Sequence, residues 1–122
     1  MEPGREMDAA VAEHVMGWEF KTPAYRHNTC SNCGRPVSRY AWPSCRRRDC
    51  HYSTDDDAAW AVVRAMVEKE YVVTVSYVPM TDGSRDGWAS IEDSDENVFC
   101  YEASTLAEAV CVAALRALGV EI

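Results

Sequence analysis

The stretch Ser53 to Val78, STDDDAAWAVVRAMVEKEYVVTVSYV, carries a helix that runs directly into a strand. Ser53 or Thr54 offers a hydroxyl cap, and Asp55, Asp56 and Asp57 put carboxylates at the positive end of the helix dipole. The apolar residues Ala59, Trp60, Val63, Met66 and Val67 recur at helical spacing, which predicts a helix to about Lys69 that buries them. The period then drops to two. Val73, Val75 and Tyr77 fall on one face of Tyr71 to Val78, and Val72, Thr74, Ser76 and Val78 on the other, so this β-branched and aromatic run reads as a central strand. Helix and strand patterns side by side in a chain of 122 residues predict one α/β domain of the α+β kind with a single core.

Toward the C-terminus, Pro79 ends the strand and Thr81 to Gly87 reads as a hairpin loop. Two shorter strands, Trp88 to Glu92 and Val98 to Glu102, flank the acidic turn Asp93 to Asn97, which predicts a three-stranded antiparallel meander. The last helix is announced by a capping box, Thr105 with Glu108, and stopped by Gly119. Leu106, Val110, Ala113 and Ala117 form one stripe, widened by Val112, Leu115 and Leu118. Apolar residues nearly encircle this helix, which predicts a second buried surface in a homo-oligomer. Toward the N-terminus, Val11, Val15 and Trp18 mark a short helix beginning at about Asp8 and ending near Gly17, after a loose tail over residues 1–7.

Residues 19–51 have another character. They hold Pro23, Pro36 and Pro43 and four of the six cysteines, with little periodicity. Cys30 and Cys33 are separated by two residues and followed by Gly34; Cys45 comes after eleven residues and Cys50 after four more. Four soft thiolates suit one tetrahedral Zn2+ with no open coordination position, the mark of a structural rather than catalytic site. His51 or His27 could replace one cysteine. Metal binding would supply the folding free energy this segment lacks, so the domain is read as residues 1–122 with a four-cysteine zinc module inserted at about 21–51. Cys100 and Cys111 stand alone in apolar surroundings and read as buried thiols.

The net charge of −8 is unevenly distributed. Lys21, Arg26, Arg35, Arg39, Arg46, Arg47 and Arg48 stand against Asp49 alone, so residues 21–51 carry +6 and the remainder −14. Arg46, Arg47 and Arg48, with Tyr40 and Trp42 close by, are candidates for a nucleotide-like anion: guanidinium for phosphate, aromatic ring for base. An acidic protein is a poor duplex binder, so nucleic acid duplexes are disfavoured as partners. Membrane partners are disfavoured too, since no apolar run approaches the length of a span, and Met1 to Asp8 lacks the order of a signal peptide; a soluble, cytoplasmic protein is expected. No nucleophile motif or phosphate-binding glycine loop appears, His14 reads as a surface or packing residue, and the Asp55 to Asp57 run is explained by capping, so no enzyme is predicted.

Val15, Met16, Gly17 and Trp18, then Tyr52, Ser53, Thr54 and Asp55 leading into Ala58, Ala59 and Trp60, then Ala117, Leu118 and Gly119 resemble the phage ABA sandwich family. The likeness covers roughly residues 8–18 and 52–121. The family comprises small phage and prophage proteins, and its name implies a sheet sandwiched between helices, with a variable segment between the two tryptophans. It brings no catalytic residues. It implies a viral origin, hence the host cytoplasm, and the readings open to such a protein are a binder that sequesters a small phosphate-containing ligand between subunits, such as a host immune nucleotide signal in an anti-defence role, or an accessory factor that binds a host protein.

Overall fold

A computed structural model describes residues 2–17, 28–29, 36–37 and 51–121. In chain order the elements are α1 (Arg5–His14), β1 (Asn28–Thr29), β2 (Pro36–Val37), α2 (Asp56–Glu68), β3 (Val72–Pro79), β4 (Arg85–Glu92), β5 (Val98–Ala103) and α3 (Leu106–Ala117). Strands β3, β4 and β5 form the antiparallel meander, and the three helices pack with it into one α+β core. Among the described residues no helix is long and apolar enough to cross a membrane.

Strand β4, not β3, is central. The density of valines in β3 reports a pleated, half-buried surface and says nothing about position in the sheet. The centre goes instead to a strand whose inner face is small: Gly87, Ala89 and Ile91 are buried beneath α3. A Cβ on Gly87 would lie 2.7 Å from the carbonyl carbon and oxygen of Thr105 and 2.8 Å from the Leu106 nitrogen. Only glycine admits that approach. The register Val73 to Ile91 and Val75 to Ala89 then places alternate β3 residues on the same inner face, as their period predicts.

Helix α3 is the axis of the molecule. It packs on β4 and β5 with one side and on α1 and α2 with others, so that Leu106, Ala107 and every residue from Ala109 to Leu115 are buried. The second apolar surface seen in the sequence is therefore covered from within the chain, and that ground for an oligomer falls away. Its start is capped twice. Thr105 Oγ1 accepts from the Glu108 N–H at 3.2 Å, and Asp56 Oδ1, from the first turn of α2, accepts from the Ala107 N–H at 2.9 Å.

The cap of α2 is Asp55, not the hydroxyl of Ser53 or Thr54; its Oδ1 accepts from Asp57 at 2.9 Å and Ala58 at 3.4 Å. The buried stripe is Ala58, Ala59, Val62 and Met66, leaving Trp60 at 47% and Val67 at 53% exposure. The helix is rotated by about one position from the expected face, because small residues at 58 and 59 let it lie closer to α3 than the indole of Trp60 would. Helix α1 likewise starts earlier than expected: Met7 is fully buried and belongs to the helix, not to a loose tail. Of the two lone cysteines, Cys111 is buried as expected but Cys100 is exposed on the outer face of β5.

Candidate metal centre and its buried anchor

Cys30, Cys33, Cys45 and Cys50, the alternative ligand His27, and Arg46, Arg47, Arg48, Tyr40 and Trp42 lie outside the described residues. The strands that flank the first cysteine pair are described. Asn28 pairs with Val37 and Thr29 with Pro36, antiparallel. The chemistry of the donor set, four thiolates, suits zinc. Among the described residues alone, no three metal-binding side chains gather.

Just past Cys50 the chain is fastened to the body. Asp8 projects from the buried face of α1 and is 1% exposed. Its Oδ1 accepts from the Ser53 N–H at 2.7 Å and from the Ser53 hydroxyl at 2.6 Å. The same hydroxyl accepts from the Gly4 N–H at 2.8 Å, which ties the start of α1 to a distant part of the sequence. Asp8 Oδ2 lies 3.8 Å from His51 Nδ1. The His51 carbonyl accepts from the N–H groups of Thr54 and Asp55 at 3.3 and 3.0 Å, which fixes the turn into α2.

Burial pushes the Asp8 carboxyl above its ordinary range, against the hydrogen bonds from Ser53 and the nearby His51, which favour the charged form. Cys111 lies in the same buried region and donates its thiol to the Tyr52 carbonyl at 3.2 Å. Burial, with Asp8 adding to it, raises that thiol well above its ordinary range, so Cys111 sits in the core as a protonated packing residue. His14 is exposed on α1, 3.8 Å from Glu13.

Two shallow depressions on the described body do not suit an anion. One is lined by Thr54, Asp55, Asp56, Asp57 and Thr105, where two helix N-termini meet but three carboxylates already occupy their field. The other is lined by Lys69, Glu70, Tyr71, Asp93 and Ser94, where the single cation faces two acids.

The sequence model of the phage ABA sandwich domain matches residues 9–115. The chain belongs to that family. No curated protein and no solved structure matches it. In this phage ABA sandwich protein the match runs from inside α1 almost to the end of α3, so the cysteine-rich segment between α1 and α2 lies within the matched residues. Of the anchor, Ser53 reads in the sequence as a helix cap and His51 as an alternative ligand, but Asp8 is given no role. A signal existed: Asp8 stands three positions before Val11 and seven before Val15, a carboxylate in the apolar stripe, where a charge is stable only with partners.

Proposed function

We propose that this phage ABA sandwich protein is a non-enzymatic accessory factor that binds and sequesters a small phosphate-containing ligand through a basic, zinc-held segment at residues 21–51. The observation that carries this reading is the charge division, +6 on that segment against −14 on the rest of the chain. Acidic depressions on the body would repel phosphate, whereas Arg46, Arg47 and Arg48 offer bidentate donors, and Tyr40 and Trp42 offer faces for a base. A structural Zn2+ would limit the entropy lost on binding by holding the segment in one form. For a phage protein the ligand class of greatest consequence is a nucleotide signal of host immunity.

Titration calorimetry with linear and cyclic nucleotides, on the wild type and on an Arg46→Ala, Arg48→Ala variant, tests it. Salt-sensitive binding to one nucleotide, weakened at least tenfold in the variant, is expected. Binding that survives both substitutions unchanged places the pocket elsewhere.

A second reading, a protein-binding factor with no small ligand, is favoured by the outer face of the sheet. Val72 and Val98, 61% and 56% exposed, both pair with Glu92 across the sheet, and Asp86 and Glu102 add further carboxylates with no base among them. If no nucleotide binds, this face is the surface to pursue by pull-down from host lysate with Val72→Asp and Val98→Asp as controls.

A further inference from the structure

Among the described residues β3 has a neighbouring strand, β4, on one side only. Two turns fix which of its backbone groups face the open side. The Met80 N–H donates to the Ser84 carbonyl at 2.8 Å where the β3–β4 hairpin closes, and the Asp93 N–H donates to the Asn97 carbonyl at 3.0 Å where β4 turns into β5. The register between β3 and β4 is unbroken from Val72 with Glu92 to Pro79 with Arg85. Hydrogen-bonded pairs alternate along such a ladder, so the Met80 bond assigns the N–H and C=O groups of Val72, Thr74, Ser76 and Val78 to β4. The Asp93 bond agrees: it turns the odd-numbered residues of β4 to β5 and so the even-numbered ones to β3. Val73, Val75 and Tyr77 are left with their main-chain donors and acceptors aimed at the open edge. Pro79, next in that series, has no N–H to offer there, which is where a strand tolerates proline.

Natural sheet edges are commonly protected by charge. In a chain of net charge −8 the run Val72 to Thr81 carries none, whereas β5, at the other edge, holds Glu102 and follows the acidic turn Asp93 to Asn97. Tyr77 and Val78 are each 42% exposed, and Val72 more so. We propose that β3 pairs antiparallel with β3 of a second copy of the chain, about a two-fold axis at Val75, so that the two sheets become one. This is the register in which the three outward residues meet only one another: Val75 of one copy with Val75 of the other, and Val73 with Tyr77. It forms about six main-chain hydrogen bonds. Between them, in the closer non-hydrogen-bonded positions, Val72 meets Val78 and Thr74 meets Ser76. Each contact is of a kind that stabilises sheets: β-branched with β-branched, aromatic with β-branched, hydroxyl with hydroxyl. The occupant is a second copy because the strand is complementary to itself and uncharged, while the carboxylates Asp86, Glu92 and Glu102 of the outer sheet face would repel a copy laid on that face. Trp60 and Val67 on α2, the helix that packs on β3, are exposed apolar residues available to widen the contact beyond the strands.

Sedimentation velocity of the full chain over a range of concentrations, with residue-resolved amide exchange at both ends of that range, tests the pairing. The expected result is a monomer–dimer equilibrium in which the amides of Val73, Val75 and Tyr77 exchange fast when dilute and slowly when concentrated, while those of Thr74 and Ser76, bonded to β4, stay protected throughout. A variant carrying Thr74→Lys and Ser76→Lys changes two exposed residues and sets lysine opposite lysine twice across the axis, so it should dimerise about tenfold more weakly or worse. The exchange measurement needs no variant and stands if that variant fails to fold. A dimer whose Val73, Val75 and Tyr77 amides exchange fast overturns the proposal and puts the interface elsewhere, as does a folded double-lysine variant that dimerises as the wild type does. A concentration-independent monomer also overturns it: with those amides protected, another segment of the same chain covers the edge, and with them unprotected the edge is left for a strand from a different protein.

Discussion

Asp8 is a carboxylate that folding has taken out of water, and its environment has two opposing parts. Burial favours the neutral acid, while two hydrogen bonds from Ser53 and the nearness of His51 favour the anion. The first is larger, so the native group holds its proton to higher pH than it does in the unfolded chain. Stability from that raised value is fully present below the unfolded value near 3.8 and is lost as pH rises through the native one. Asp8→Asn keeps an acceptor for Ser53 without the charge. The stability of the wild type relative to Asp8→Asn, from urea unfolding at a series of pH values, should therefore fall as pH rises above about 4. Asp8→Ala removes the acceptor altogether, leaves the Ser53 N–H and hydroxyl to find new partners in a dry site, and should cost about 2 to 4 kcal/mol at neutral pH. A loss under about half a kcal/mol in Asp8→Ala would mean that water reaches the site.

Among the elements, the contact between β4 and α3 has the least tolerance. Gly87 faces the start of α3 with backbone atoms of Thr105 and Leu106 where its Cβ would stand, and backbone cannot turn aside as a side chain can. Gly87→Ala should therefore destabilise the fold by about 2 to 3 kcal/mol in denaturant unfolding, more than strand propensity would suggest for replacing a glycine. Gly83→Ala, in the β3–β4 hairpin, meets no atom within 4 Å but sits at φ +89°, so its smaller loss would come from backbone strain alone. Equal losses in the two variants would show that α3 can shift outward. The valine-rich strand lies at the edge because two successive hairpins place β4 between β3 and β5; the small inner face of β4 at Gly87 and Ala89 then lets α3 lie close on the centre of the sheet.

At the scale of the whole molecule, the body and the cysteine segment draw on different sources of stability. The body has a continuous core from Met7 on α1 to Leu115 on α3, whereas the segment between α1 and α2 is rich in proline and charge. Purified protein is expected to carry about one zinc per chain, and Cys30→Ser or chelation should expose residues 21–51 to proteolysis while the far-ultraviolet helical signal changes little. Elemental analysis without zinc, on protein prepared free of chelator, would refute this. Sedimentation settles the assembly state, for which the buried surface of α3 no longer argues.

Periodicity, capping and turn chemistry are local, and they were legible along the chain: the helix–strand succession, the meander, the α3 cap at Thr105 and the stop at Gly119, whose φ is +80°, all follow from neighbours within a few residues. The donor chemistry of Cys30, Cys33, Cys45 and Cys50 and the +6 charge of residues 21–51 are likewise properties of the chain alone. Which face of α2 is buried, what covers the far side of α3, and where Asp8 finds its partners depended on contacts between residues distant in sequence, such as Asp8 with Ser53 and Asp56 with Ala107. Those contacts were decided only when the elements packed, because close approach of backbones and the pairing of a buried charge are set by which surfaces meet, and a one-dimensional pattern carries no record of that.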